Sequence, residues 1–95
     1  MTYKLKFIPV ALKEWNKLAP PIKNQFKKKL KERLENPHVV SAKLHGFESV
    51  YKIKLRSAGY RLAYEVVDNE VLVYVLAIGK REKNEVYNKL RKRVQ

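Results

Sequence analysis

The sequence predicts an α+β fold: one compact domain over residues 1–95, ordered β-α-α-β-β-β-α. A helical hairpin packs on a small, mainly antiparallel sheet, and a C-terminal helix closes the chain. Three observations lead there. Two N-terminal segments bounded by prolines carry apolar residues at helical spacing. Three later segments, joined by short turn signals, alternate or run continuously apolar. Ninety-five residues leave room for one modest core and for little beside it.

Tyr3, Leu5 and Phe7 alternate with Lys4 and Lys6, which reads as a first strand. Pro9 can open a helix, and Ala11, Trp15 and Leu18 then recur at helical spacing. Pro20 and Pro21 end that helix and start another, which Asn36-Pro37 closes. Along it Ile22, Phe26, Leu30 and Leu34 form an apolar stripe, and Lys23, Lys27 and Lys31 a basic one. A strand over residues 47–56 turns at Ser57-Ala58-Gly59 into a second strand, Tyr60 to Val67. Asp68-Asn69 is a tight-turn signal leading into Glu70 to Ile78. The run VLVYVLAI is apolar on both faces, which predicts a central place in the sheet, with Gly79 stopping it. The final helix begins near Lys83, with Val86, Leu90 and Val94 in register.

Charge narrows the function. Twenty-two Lys and Arg against nine Asp and Glu give a net +13, which calls for a polyanionic partner. Nucleic acid suits it better than an anionic membrane, because the cations are spread over helices and strands and not gathered on one amphipathic helix. There is no cysteine, which excludes a disulfide scaffold, a thiolate metal site and a cysteine nucleophile. The N-terminal apolar run is broken by Pro9, and no stretch approaches the roughly 20 apolar residues that span a bilayer. The expectation is a cytoplasmic protein with no membrane partner.

The usual catalytic motifs are missing: no Gly-rich phosphate loop, no HExxH and no cluster of metal ligands, so no cofactor and no metal is expected. His38 and His45 lie in a loop, where a lone histidine is commonly just solvated. The carboxylates are scattered beside lysines, where Glu/Lys pairing is the plain reading. What remains is basic and aromatic. In YKIKLRSAGYR, Lys52 and Lys54 share one strand face, their attachment points about 6.6–7 Å apart. Arg61 opens the neighbouring strand off the apolar face, Arg81 follows the central strand, and Tyr87 lies on the last helix. Each alone fits a solvated sheet face, a turn residue or a packed ring. Together they suit single-stranded RNA, since arginine grips phosphate bidentately and an aromatic ring stacks on an unpaired base. Lys27-Lys28-Lys29 and the C-terminal Lys89, Arg91, Lys92 and Arg93 point in several directions and read as general polyanion attraction.

LKEW and KKKL in the helical hairpin, then KLHG, YKIKLRSAGYRLAYEV and GKRE leading to EVY, closely resemble the bacterial RelE toxins, and the enterobacterial members above all. The resemblance covers essentially the whole chain. It implies a microbial-ribonuclease-like fold without the usual His/Glu pair, and the toxin half of a type II toxin–antitoxin pair. It further implies an endoribonuclease that enters the A site of a translating 70S ribosome and cuts the mRNA there. The 2′-hydroxyl attacks the adjacent phosphate, leaving 2′,3′-cyclic phosphate and 5′-hydroxyl ends. A RelB-like antitoxin is the implied protein partner, and through it the complex would bind its own operator DNA. The family's catalytic positions fall at Lys52, Lys54, Arg61, Arg81 and Tyr87, with Lys54 the expected general base. Lys43, His45, Arg56, Lys27, Lys28 and Lys31 are expected to meet RNA, rRNA included. His45 stands where the family reads arginine. Two rival readings share the charge: a ParE-like toxin that binds DNA gyrase without catalysis, and a plain RNA-binding module.

Overall fold

The structure, a computed structural model, describes residues 2–93. Its elements are β1 (Lys4–Phe7), α1 (Pro9–Asn16), α2 (Pro20–Glu35), β2 (Val50–Leu55), β3 (Tyr60–Val67), β4 (Leu72–Lys80) and α3 (Glu85–Arg93). Short 3₁₀ turns lie at Val40–Ala42, Asp68–Glu70 and Glu82–Asn84. Pro9 and Pro20 occupy the first positions of their helices, where a missing amide costs nothing and the fixed φ is already helical.

The four strands form one sheet in the order β1-β4-β3-β2. β1 runs parallel to β4, and the other two pairings are antiparallel. The apolar run of β4 is thus central, as its two-sided hydrophobicity requires. Four boundaries differ from the sequence expectation. Asp68–Glu70 close a 3₁₀ turn and Val71 takes a left-handed φ of 52°, so β4 starts at Leu72 and not at Glu70. Gly79 does not stop the strand; it pairs with Arg61, and Lys80 pairs with Tyr60. The residues before Val50 form turns, so β2 is shorter than the expected 47–56. The last helix starts at Glu85, and Val94 lies outside the described residues.

Each sheet face buries its own core. Under α1 and α2, Ala11, Phe26 and Leu30 meet Tyr51, Ile53, Leu62, Tyr64, Val73, Val75 and Ile78. On the opposite face Val86 and Leu90 of α3 meet Leu44, Val50, Ala63, Leu76 and Ala77. A register shift at Ala63/Tyr64 in the β3–β4 ladder puts both Leu76 and Ala77 on this second face. His38, read as a solvated loop residue, is instead tied down: Nδ1 pairs with the Tyr51 hydroxyl at 3.0 Å and Nε2 with Asp68 at 2.8 Å.

β1 is only four residues long, so beyond Val75 the outer edge of β4 has no strand beside it. Side chains take over. The Ile78 amide donates to Glu14 at 3.1 Å, Lys89 donates to the Ile78 carbonyl at 2.7 Å, and Arg93 donates to the Leu76 carbonyl at 2.8 Å. Arg93 also grips Glu14 through two bonds of 3.0 Å, and Lys89 meets the same carboxylate at 2.6 Å. Glu14, on α1, therefore joins both helical layers to the sheet. The expected local Glu/Lys pairing occurs too, between Glu85 and Lys89 at 3.1 Å.

Burial alone would raise the Glu14 pKa, but Arg93, Lys89 and the Ile78 amide outweigh it and hold the group below its ordinary 4.5. A depressed carboxylate stabilises the fold fully above its unfolded value, and loses that contribution as pH falls through the folded one. Glu14→Gln should cost about 2 kcal/mol near neutrality, a buried-pair loss reduced for partial exposure. In denaturant titrations the gap between variant and parent should narrow as pH drops below 4.5. A gap unchanged with pH would show that the Glu14 charge is not what holds α3.

Candidate active site

The β2–β3 hairpin sets the site. Its turn closes on Gly59, at φ 69°, whose amide donates to the Leu55 carbonyl at 2.8 Å. The resulting register puts Lys54 opposite Arg61, Arg61 opposite Gly79, and Lys52 opposite Ala63. Tyr51, Ile53 and Leu55 are buried, whereas Lys52 is half-buried and Lys54 exposed. Like charges directly opposed across a ladder are destabilising, so folding alone gains nothing from the Lys54–Arg61 pair. Lys52 carries that strain visibly. Burial, the adjacent Lys54 ammonium and Arg61 together push its pKa below the ordinary 10.5.

Arg81 arrives from the far end of β4. Its amide donates to the Gly59 carbonyl at 2.9 Å, which ties it to the hairpin turn. A cleft of about 330 Å³ is lined by Lys54, Leu55, Arg56, Tyr60, Arg61 and Arg81. Four of these are cations, and none is an acid. Arg61 Nε is buried without a hydrogen-bond partner, the one such side-chain atom among the described residues. A buried donor left unmet costs about 1–3 kcal/mol, a cost the fold carries at Arg61.

Gly79 explains how α3 reaches the edge of this row. A Cβ there would lie 2.8 Å from Glu85 Oε1 and 3.2 Å from Lys89 Nζ, so glycine lets the first turn of α3 settle on the sheet beside Arg61. Two residues into that helix, Tyr87 is partly buried against the core that holds Leu44 and Val86. Lys43 and His45 flank Leu44 and are exposed, and Lys43 forms an isolated bridge with Tyr51. The structure thus gathers Lys54, Arg61, Arg81 and Arg56 in one cleft, with Lys52 next along the strand. It puts Tyr87, Lys43 and His45 around the second core.

The helical lysines divide. Lys27 and Lys31 line a different, mostly apolar groove with Leu5, Phe7, Trp15, Leu30 and Leu34, and Lys28 is exposed on α2. Sequence reading left Lys29 to general polyanion attraction and did not single out Arg33. They line an open groove with Lys52, Lys54 and Arg56, along the free edge of β2. The i,i+4 spacing of Gln25, Lys29 and Arg33 was the available signal. Arg33 also fixes the strand, donating to the Lys52 carbonyl at 3.1 Å and to the Tyr64 hydroxyl at 2.9 Å.

Among the described residues, no three His, Cys, Asp or Glu side chains are placed to share a metal ion, and no helix is long and apolar enough to cross a membrane.

Comparison with known proteins places this geometry. Residues 5–85 match the family model described as ParE toxin of type II toxin–antitoxin system. The mRNA interferase toxin RelE of Escherichia coli K12 is 52% identical, over 99% of both chains. A doubly substituted E. coli toxin RelE in the free state superposes with a TM-score of 0.91 at 50% identity, covering 100% of both chains. The toxin in the intact E. coli RelBE toxin–antitoxin complex superposes at 0.82 with 52% identity, over 85% of this chain and 99% of that one.

The coupling within the lysine pair is measurable. In side-chain amine NMR titrations Lys52 should titrate below 10.5, and Lys54→Ala should move it upward. A Lys52 midpoint that ignores Lys54→Ala would remove the electrostatic basis of the site.

Proposed function

Because the chain belongs to the RelE toxin family of type II toxin–antitoxin systems, we propose that it is an mRNA interferase acting on the ribosome. It cuts A-site mRNA and thereby stops translation. The observation that carries this reading is the cross-strand row of Lys54 and Arg61, which share a cleft without carboxylates with Arg81, with Lys52 next along the strand.

Cleavage by the 2′-oxygen needs three things: a proton removed from that oxygen, charge stabilised on the phosphate, and a leaving oxygen made stable. Lys54 takes the proton. Lysine is a poor base at its ordinary pKa of about 10.4, but two adjoining amines beside an arginine cannot all hold charge cheaply. Partial burial, the adjacent Lys54 ammonium and Arg61 already hold the Lys52 amine below its ordinary 10.5. Arg61 holds the phosphate and meets its developing charge with donors already oriented. The 2′-oxygen bonds to phosphorus, the bond to the 5′-oxygen breaks, and a 2′,3′-cyclic phosphate results. Arg81 stabilises the departing oxygen mainly by charge, since a guanidinium with a pKa above about 12 yields protons reluctantly; solvent completes the 5′-hydroxyl. Tyr87 stacks on a base and orients the bond being cut. His45 lacks the bidentate guanidinium fork of the arginine found in related toxins, which weakens one phosphate or rRNA contact.

Such groups are mistuned for acid–base work, which typically contributes ~10²–10⁴ in rate. Holding the reacting atoms in place can supply ~7–11 kcal/mol, and a ribosome that fixes the codon provides it. A RelB-like antitoxin silences the toxin, as the E. coli complex suggests by analogy, and carries it to operator DNA. The ParE family model matches a fold shared with non-catalytic gyrase binders. Identity to an mRNA interferase and the opposed cations favour the nuclease over that reading and over a plain RNA-binding module.

Purified protein added to translating ribosomes should cut mRNA in the A-site codon and leave 2′,3′-cyclic phosphate ends, with naked mRNA cut negligibly. Equal cutting of naked mRNA would contradict the dependence on the ribosome, and gyrase-linked DNA damage without mRNA cleavage would favour the ParE-like reading. Arg61→Ala and Arg81→Ala should each slow single-turnover cleavage at least about tenfold while ribosome binding persists. Normal cleavage by either variant once bound would remove that residue from its role.

A further inference from the structure

We propose that the groove along the outer edge of β2 is a second nucleic-acid subsite, which holds the phosphodiester backbone of the single-stranded mRNA next to the cut. The inference rests on the nuclease reading and extends it beyond the reacting phosphate. The groove measures about 760 Å³ and is walled on one side by Gln25, Lys29 and Arg33, on the other by Lys52, Lys54 and Arg56. It holds five cations and no acid.

Its continuity with the catalytic cleft gives it an occupant. Lys54, Leu55 and Arg56 line both cavities, so a strand gripped at Arg61 and Arg81 runs past Lys54 and Arg56 into the groove. The α2 wall spans about 12 Å from Gln25 to Arg33 at the helical rise, and the β2 wall about 13 Å from Lys52 to Arg56. The walls thus match in length. β2 is also a sheet edge. Its outward carbonyls are shared out unevenly: Val50 accepts from the Leu44 amide, and Lys52 accepts from Arg33. Antiparallel alternation turns the Lys54 amide to the same edge, where it can donate to a phosphate oxygen beside the lysine side chains. Arg33, anchored to Tyr64 and to Lys52, presents a guanidinium whose position is already set. An open groove with two basic walls and backbone access suits one flexible strand, whose phosphates and unpaired bases can reach both walls.

The test uses intact protein on ribosomes programmed with mRNA carrying a 2′-deoxy residue at the cut position, which blocks cleavage. A benzoyl-phenylalanine photocrosslinker replaces Lys29, and a second protein carries it in place of Lys13, an exposed residue on α1. Position 29 should crosslink to mRNA within a few nucleotides of the deoxy residue, and position 13 should not. Crosslinks from position 29 to rRNA alone, or to no RNA, would overturn the proposal. In parallel, single-turnover cleavage of ordinary mRNA is titrated with ribosomes. Lys29→Glu should raise the half-saturating concentration at least about tenfold with the saturated rate within twofold, and Lys13→Glu should shift it no more than about threefold. Equal shifts for the two variants would reduce Lys29 to general charge. Crosslinking needs no cleavage. A protein that crosslinks as expected yet never cuts mRNA would sink the nuclease reading and leave the groove standing, whereas normal cutting with failed crosslinks does the reverse.

Discussion

The fold turns on an open strand edge. β4 is the central strand, yet β1 accompanies it only as far as Val75, and the amide and carbonyls beyond would otherwise face a helix layer unmet. Glu14, Lys89 and Arg93 satisfy them, and in doing so they dock α3 against the sheet. Buried backbone groups need partners, so this arrangement is not optional decoration. The position of α3 then fixes Tyr87, and glycine at 79 becomes necessary because Glu85 and Lys89 lie where a side chain would project. A requirement of backbone hydrogen bonding is thereby passed on to the edge of the cationic row.

That row is electrostatically unfavourable by design of the register. Lys54 and Arg61 face each other, Lys52 is partly buried beside them, and Arg61 keeps a buried donor without a partner. The stability lost here is supplied by the two apolar cores on either side of the sheet. A phosphate held among these cations would reverse the sign, because it would neutralise the repulsion. The same crowding acts on protons, since partial burial, Lys54 and Arg61 together lower the proton affinity of Lys52.

Much of this was legible in the sequence, for physical reasons that can be named. The two-sided apolarity of VLVYVLAI pointed to a central strand, and Pro9 and Pro20 suit the first position of a helix, where the structure has them. The alternation in YKIKLRS placed Lys52 and Lys54 on one face, but register with β3 is a tertiary property, so the direct opposition of Lys54 and Arg61 was not readable. Gly79 was misread because a strand terminator and a close helix contact call for the same residue. Val71 adopts a left-handed backbone that no valine advertises, which shifted the start of β4 by two residues from the expected Glu70. Lys29 and Arg33 were hidden inside a lysine-rich helix where every face carries charge; only packing against β2 distinguishes their side from that of Lys27 and Lys31.

The central claim is that a lysine pair, and no histidine or carboxylate, removes the proton. The pH dependence of single-turnover cleavage on saturating ribosomes tests it most directly. A base drawn from Lys52 and Lys54 requires the rate to climb about tenfold per pH unit across neutrality, and to be still rising at about pH 8.5. A rate that levels off above about pH 7 would instead identify a group with a histidine-like or carboxylate-like pKa as the base, and would contradict the account.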